Sequence, residues 1–183
     1  MKVLFACSKG TESAEFTCSY DILKRAGAEL TIAKVKENAQ DTSKTFITAQ
    51  GLEVKADNFI EEVSGNVYDM IVCPGGLPNA EILGKNETLI TMLKTHKKSG
   101  KWIAAICASP VAVFQSNGLL DGEKATGYPG YGKINNLGEG KVVISNKVIT
   151  SQGPCTAFHF GFALAECLFG KEKKEKLQGD MLF

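Results

Sequence analysis

Cys107 has the clearest chemical setting in this sequence. It ends the run Lys101-Trp102-Ile103-Ala104-Ala105-Ile106, which reads as a buried strand, and Ala108, Ser109 and Pro110 follow it. A strand running straight into a nucleophile and then into small residues is a nucleophile elbow. Ala108 and Ser109 allow close backbone approach, and Pro110 suits a first helical turn because the N–H it lacks would be unpaired there anyway. A cysteine at a helix N-terminus lies near the positive end of the helix dipole, which favours thiolate over thiol. The expectation is a thiol that is nucleophilic and oxidisable near neutral pH.

Two further loops could complete such a site. Val72-Cys73-Pro74-Gly75-Gly76-Leu77-Pro78-Asn79 also follows an apolar run, and paired glycines let backbone N–H groups face a ligand. The N–H groups of Gly76 and Ala108 could together hold an oxyanion formed when a thiolate attacks a carbonyl carbon. Ser8-Lys9-Gly10-Thr11-Glu12-Ser13-Ala14-Glu15 offers two carboxylates at the start of a helix. Either one could equally be a first-turn acid that stabilises the helix dipole, and spacing does not choose between Glu12 and Glu15.

The elements that must carry these loops are legible from periodicity. Lys2 to Cys7, Glu29 to Ala33, Tyr68 to Cys73 and Trp102 to Ile106 read as strands buried on both faces. Ala14, Cys18, Ile22 and Ala26 recur every fourth residue between Ser13 and Gly27, predicting a helix, and a second pattern from Glu81 to Lys98 breaks at Gly84-Lys85-Asn86. Strands alternating with helices imply crossovers, a mainly parallel sheet and a three-layer α/β sandwich, with ligands at the carboxyl edge of the sheet. Thr45 to Val54 and Lys124 to Ile149 read as small antiparallel additions. A last helix is expected from Pro154 to Leu168, then a solvated mixed-charge helix with Glu172 and Lys176 paired. Neither a linker nor a repeat divides residues 1–183, so a single domain is expected.

Composition narrows the function. A net charge of +1 over 183 residues, without a basic stripe, argues against nucleic acid. No apolar stretch approaches the length of a membrane span, and Val3 to Cys7 is too short for a signal-peptide core, so no membrane role and a cytoplasmic location are expected. The cysteines at 7, 18, 73, 107, 155 and 167 form no CxxC pair and read as free thiols. His96 and His159 lack partners at metal-ligand spacing, so no metal is assigned.

The motifs Gly10-Thr11-Glu12-Ser13-Ala14-Glu15, Tyr68-Asp69-Met70-Ile71-Val72 leading into Pro74-Gly75-Gly76, Ala104-Ala105-Ile106-Cys107-Ala108-Ser109-Pro110, and Thr150-Ser151-Gln152-Gly153-Pro154 resemble the DJ-1/PfpI superfamily (ThiJ/PfpI domain), particularly its DJ-1-like branch. The resemblance implies a flavodoxin-like fold and a homodimer. It selects Glu15 as the acid facing Cys107, and it places Gly75, Gly76, Ala108, Tyr128 and Pro154 around the pocket. It also implies a cofactor-independent glyoxalase or deglycase acting on methylglyoxal-type α-oxoaldehydes or their adducts, or alternatively a redox sensor or chaperone-like protein responding through Cys107 oxidation. An ionised Glu15 would repel a thiolate, so the pair requires a protonated acid that donates to sulfur.

This sequence departs from the family pattern at several places. Ala108 replaces the histidine that PfpI-like peptidases carry after the cysteine, which argues against peptidase activity. Tyr128 stands where many DJ-1-like members have a histidine, shifting proton transfer onto Glu15. Gln50 and Gln152 occupy positions often held by arginine, and Cys155, where glycine is common, reads either as a second thiol near the pocket or, in preference, as a buried helix-start residue. His159-Phe160-Gly161 lacks the glutamate that a glutamine amidotransferase needs.

Overall fold

The computed structural model describes residues 1–183. In chain order the elements are β1 (Lys2–Cys7), α1 (Ser13–Ala26), β2 (Glu29–Lys34), β3 (Thr45–Ile47), β4 (Glu53–Lys55), β5 (Asn58–Phe59), β6 (Met70–Cys73), α2 (Asn79–Lys85), α3 (Glu87–Lys98), β7 (Trp102–Ile106), β8 (Val142–Ser145), β9 (Val148–Ser151), α4 (Ala157–Phe169) and α5 (Lys171–Asp180). Seven strands form one sheet in the order β5-β2-β1-β6-β7-β9-β8. All neighbours are parallel except β8 and β9. The antiparallel β8–β9 pair and the separate β3–β4 hairpin are the small additions expected from the alternating runs.

β1 shows why the strand runs are continuously apolar. Val3, Phe5 and Cys7 face a core shared with Phe16, Ile22 and Phe160 of α1 and α4, whereas Leu4 and Ala6 face a second core with Leu89 and Leu93 of α3. Both faces of a central parallel strand are covered by helices, and successive side chains alternate between them. The chain leaves β1 to pair β2 on one side, then returns to place β6 on the other. That reversal opens a crevice at the carboxyl ends of the strands, where the loops after β1, β6 and β7 meet.

α1 is fixed at both ends. The Glu12 side chain accepts from the Glu15 N–H, and Gly27 closes the helix at φ 96° with its N–H on the Leu23 and Lys24 carbonyls. α4 crosses α1 at Gly161, where a Cβ would lie 2.6 Å from Ile22 Cδ1 and 3.2 Å from Ser19 Cα. A Cβ there would have to displace the Ile22 side chain and crowd the α1 backbone, so glycine lets the two helices pack closely beneath the site.

Three expectations need correction. Pro110 opens a π-helical turn, Pro110–Phe114, followed by a 3-10 turn, Gln115–Asn117, rather than a regular α-helix. Gly118 ends the segment at φ 74°, too soon for α-helical hydrogen bonding to propagate. In α5 the ion pairs are Lys171–Glu175 and Lys176–Asp180, not Glu172–Lys176. Cys155 is exposed, because Pro154–Thr156 forms a 3-10 turn on the surface before α4 begins. No helix is long and apolar enough to cross a membrane.

Candidate active site

The two first-turn carboxylates of α1 have different duties. Glu12 Oε2 accepts the Glu15 N–H at 2.7 Å and caps the helix. Glu15 lies within the first turn of the same helix, and its side chain is fully buried. Its Oε2 accepts the Gly75 N–H at 2.8 Å, and its Oε1 is buried without a hydrogen-bond partner. Burial pushes the Glu15 carboxyl up to about 7, outweighing the Gly75 N–H and Cys107, which favour its charge. A carboxyl held near that value can carry a proton on the free oxygen at neutral pH and release it when a reaction requires.

Cys107 sits on the strained turn expected of an elbow, at φ 67°. For a residue with a Cβ this left-handed conformation costs about 1–2 kcal/mol, so the surroundings must impose it. They do so through the backbone. The Cys107 N–H donates to Ser151 O at 3.0 Å, at the end of β9, and its carbonyl accepts the Tyr128 N–H at 2.7 Å. The residue as a whole is only 9% exposed.

The expectation of a dipole-stabilised thiolate is not met for the thiol beside a charged Glu15. Burial, then the Glu15 carboxylate, push Cys107 up to about 12, against the lowering influence of the Gly76 and Ala108 N–H groups. The short helical segment after Pro110 supplies too little dipole to reverse that order. The two groups titrate as a pair, so two negative charges are resisted while one is accommodated. Once Glu15 holds the proton, its repulsion of the sulfur vanishes and the two backbone N–H groups remain.

Gly75 joins the three loops. A Cβ there would lie 2.5 Å from Cys107 Cβ, 2.7 Å from Glu15 Oε2 and 2.8 Å from Ile106 O. The structure therefore brings Glu15, Gly75, Gly76, Cys107 and Ala108 together. Tyr128 meets them through its backbone, while the residue is 49% exposed and its ring lies beside Gly153. Pro154 is exposed at the start of the 3-10 turn and has no hydrogen bond to the group. Gln50 Oε1 accepts the Ser13 N–H at 2.9 Å, so its side chain helps cap α1. Gln152 lines a cleft of about 670 Å³ with Tyr128, Tyr131 and Lys133. His159 Nε2 lies 3.3 Å from Lys141 Nζ on α4, outside the site.

Sequence reasoning assigns no polar role to Asn79 or Ser109, yet both side chains are buried at the Pro74-Gly75 loop. Ser109 Oγ donates to Pro74 O at 2.6 Å, tying the elbow to that loop. The available signal was a polar residue between Pro78 and Ala80 at the start of an otherwise apolar helix face, too weak to reveal partners distant in sequence.

The match to the DJ-1/PfpI family model extends over residues 1–167. The chain belongs to the DJ-1/PfpI family. Among DJ-1 proteins it is 35% identical to the Arabidopsis thaliana protein DJ-1 homolog A over 185 residues, covering 98% of this chain and 46% of that relative. The chain thus spans about half the length of the Arabidopsis relatives it matches. It shares 42% identity with the oxidized DJ-1 of Toxoplasma gondii, with a TM-score of 0.93 over 100% of this chain and 98% of that one. It is 32% identical to a Caenorhabditis elegans protein named glutathione-independent glyoxalase DJR-1.2, covering 91% of this chain and 87% of that protein.

Proposed function

We propose that residues 1–183 of this DJ-1 family protein form one domain, a cofactor-independent glyoxalase or deglycase that acts on methylglyoxal-type α-oxoaldehydes or their adducts, in the cytoplasm and as a homodimer. The observation that carries this reading is the Glu15 carboxyl, buried beside Cys107 and held near neutrality. The name of the Caenorhabditis elegans relative supports it. Ala108 in place of the histidine of PfpI-like peptidases speaks against peptide hydrolysis.

In this reading the Cys107 sulfur adds to the aldehyde carbon, and the new oxyanion is held by the Gly76 and Ala108 N–H groups before taking the proton from Glu15. The Glu15 carboxylate then removes the proton from the sulfur-bearing carbon, giving an enediolate, and returns it to the adjacent carbon while the hydroxyl proton passes from the first oxygen to the second. The product is a thioester of lactate on Cys107. Water cleaves it, releasing lactate and restoring the thiol, so the balance is methylglyoxal plus water to lactate.

A second reading, peroxide sensing, is favoured by the oxidized state of the Toxoplasma gondii relative and by the same buried pair. Here the thiolate takes one oxygen from each of two peroxide molecules, releasing two waters and leaving a sulfinate that a protonated Glu15 can hold by a hydrogen bond. Turnover separates the two readings. Reduced protein given methylglyoxal without glutathione is expected to release many molecules of D-lactate per Cys107. No lactate from protein whose Cys107 thiol is intact by mass spectrometry would overturn the enzyme reading in favour of sensing.

A further inference from the structure

The N–H groups of Gly75 and Gly76 can act on Glu15 and Cys107 only if their peptide planes are held still. Each of those N–H groups shares a planar trans peptide unit with the preceding carbonyl, which points the opposite way. Fixing Pro74 O therefore aims the Gly75 N–H, and fixing Gly75 O aims the Gly76 N–H. One side chain grips both carbonyls. Asn79 Nδ2 donates to Pro74 O at 2.9 Å and to Gly75 O at 3.0 Å. Its Oδ1 accepts the Ser8 N–H at 2.7 Å and lies 3.0 Å from the Thr11 hydroxyl.

The amide is fully buried, and only this orientation places its oxygen on a backbone donor and its nitrogen on two backbone acceptors. Both carbonyls have a second donor as well, Ser109 Oγ on Pro74 O and the Glu12 N–H on Gly75 O. Asn79 is the group that joins the two planes to each other and to the loop after β1, which leads into the helix bearing Glu15.

We infer that Asn79 is a positioning residue that aims the Gly75 N–H at Glu15 Oε2 and the Gly76 N–H at the Cys107 sulfur, setting how readily the pair carries its single negative charge. The inference rests on the proposed partnership of Cys107 and Glu15, and it does not require that methylglyoxal be the substrate.

The test is the pH dependence of Cys107 alkylation by iodoacetamide, followed by mass spectrometry, in wild type and Asn79→Ala. Both N–H groups favour the charged forms, so loosening them is expected to raise the lower midpoint of the profile by about one pH unit, the value of one charge-assisted hydrogen bond. Loss of melting temperature is expected for any buried amide and decides nothing. A folded Asn79→Ala protein with the wild-type midpoint overturns the inference. Ser109→Ala removes only the second donor to Pro74 O and is expected to move the midpoint in the same direction by less. If Asn79→Ala does not fold, Asn79→Ser, which also removes both amide donors but keeps a polar side chain, is read in its place, and a wild-type midpoint there overturns the inference. Where lactate is formed, kcat falls and KM stays within about twofold, because the residue touches no substrate. Absence of lactate in wild type with a shifted alkylation midpoint in Asn79→Ala overturns the glyoxalase reading and leaves this one standing.

Discussion

Cys107→Ala is expected to lower lactate formation from methylglyoxal by about 10⁴-fold or more, the scale of loss when a covalent nucleophile is removed from a site whose other groups act through it. The fold should survive. Alanine keeps the Cβ, and the backbone bonds to Ser151 and Tyr128 do not involve the sulfur. A companion variant separates chemistry from strain. Residue 107 stands at φ 67°, a conformation glycine adopts without penalty, so Cys107→Gly should be as inactive as Cys107→Ala yet more stable than it by about 1 kcal/mol in denaturant titration. Cys107→Gly less stable than Cys107→Ala by about 0.5–1 kcal/mol, the ordinary entropic cost of a glycine, would mean that the elbow stores no strain.

Glu15→Gln is expected to lower kcat by about 10²–10⁴-fold, the usual contribution of a positioned acid or base. The amide is isosteric, can accept the Gly75 N–H as Oε2 does, and can donate to sulfur, but it cannot take up the substrate proton. The thiol should move the other way. The Glu15 carboxylate raises the Cys107 pKa, so its removal lowers that pKa and quickens alkylation at high pH. Slower turnover with a more easily ionised thiol is the signature of a lost proton carrier. A variant that loses turnover and alkylation together would point instead to a collapsed pocket.

Much of this arrangement is legible in the sequence, and the parts that are not share a physical cause. β1 and β7 announce themselves because both faces of each are covered, leaving unbroken runs such as Val3 to Cys7. Gly27 and Asn86 mark a helix end and a helix start through local hydrogen bonds, which sequence neighbours determine. The choice of Glu15 over Glu12 needed the family resemblance, because both lie in one helical turn and only their tertiary surroundings differ. The role of Asn79 is illegible in the sequence because its partner Ser8 is 71 positions away, beyond the reach of any local pattern. The ionisation of Cys107 is illegible for the same reason: Pro110 advertises a helix start, but burial and a charged Glu15, neither visible nearby in sequence, outweigh what a short turn supplies.

The central claim is that Cys107 and Glu15 share one proton around neutral pH, and the alkylation rate of Cys107 from pH 5 to 12 tests it most directly in wild type beside Glu15→Gln. Wild type should rise through a midpoint near 7 as the pair becomes singly charged, level off, and rise again towards about 12 as the second proton leaves. Glu15→Gln should show one rise only, lying below the upper wild-type limb. A single rise with the same midpoint in both proteins would contradict the account, because Cys107 would then ionise without regard to Glu15.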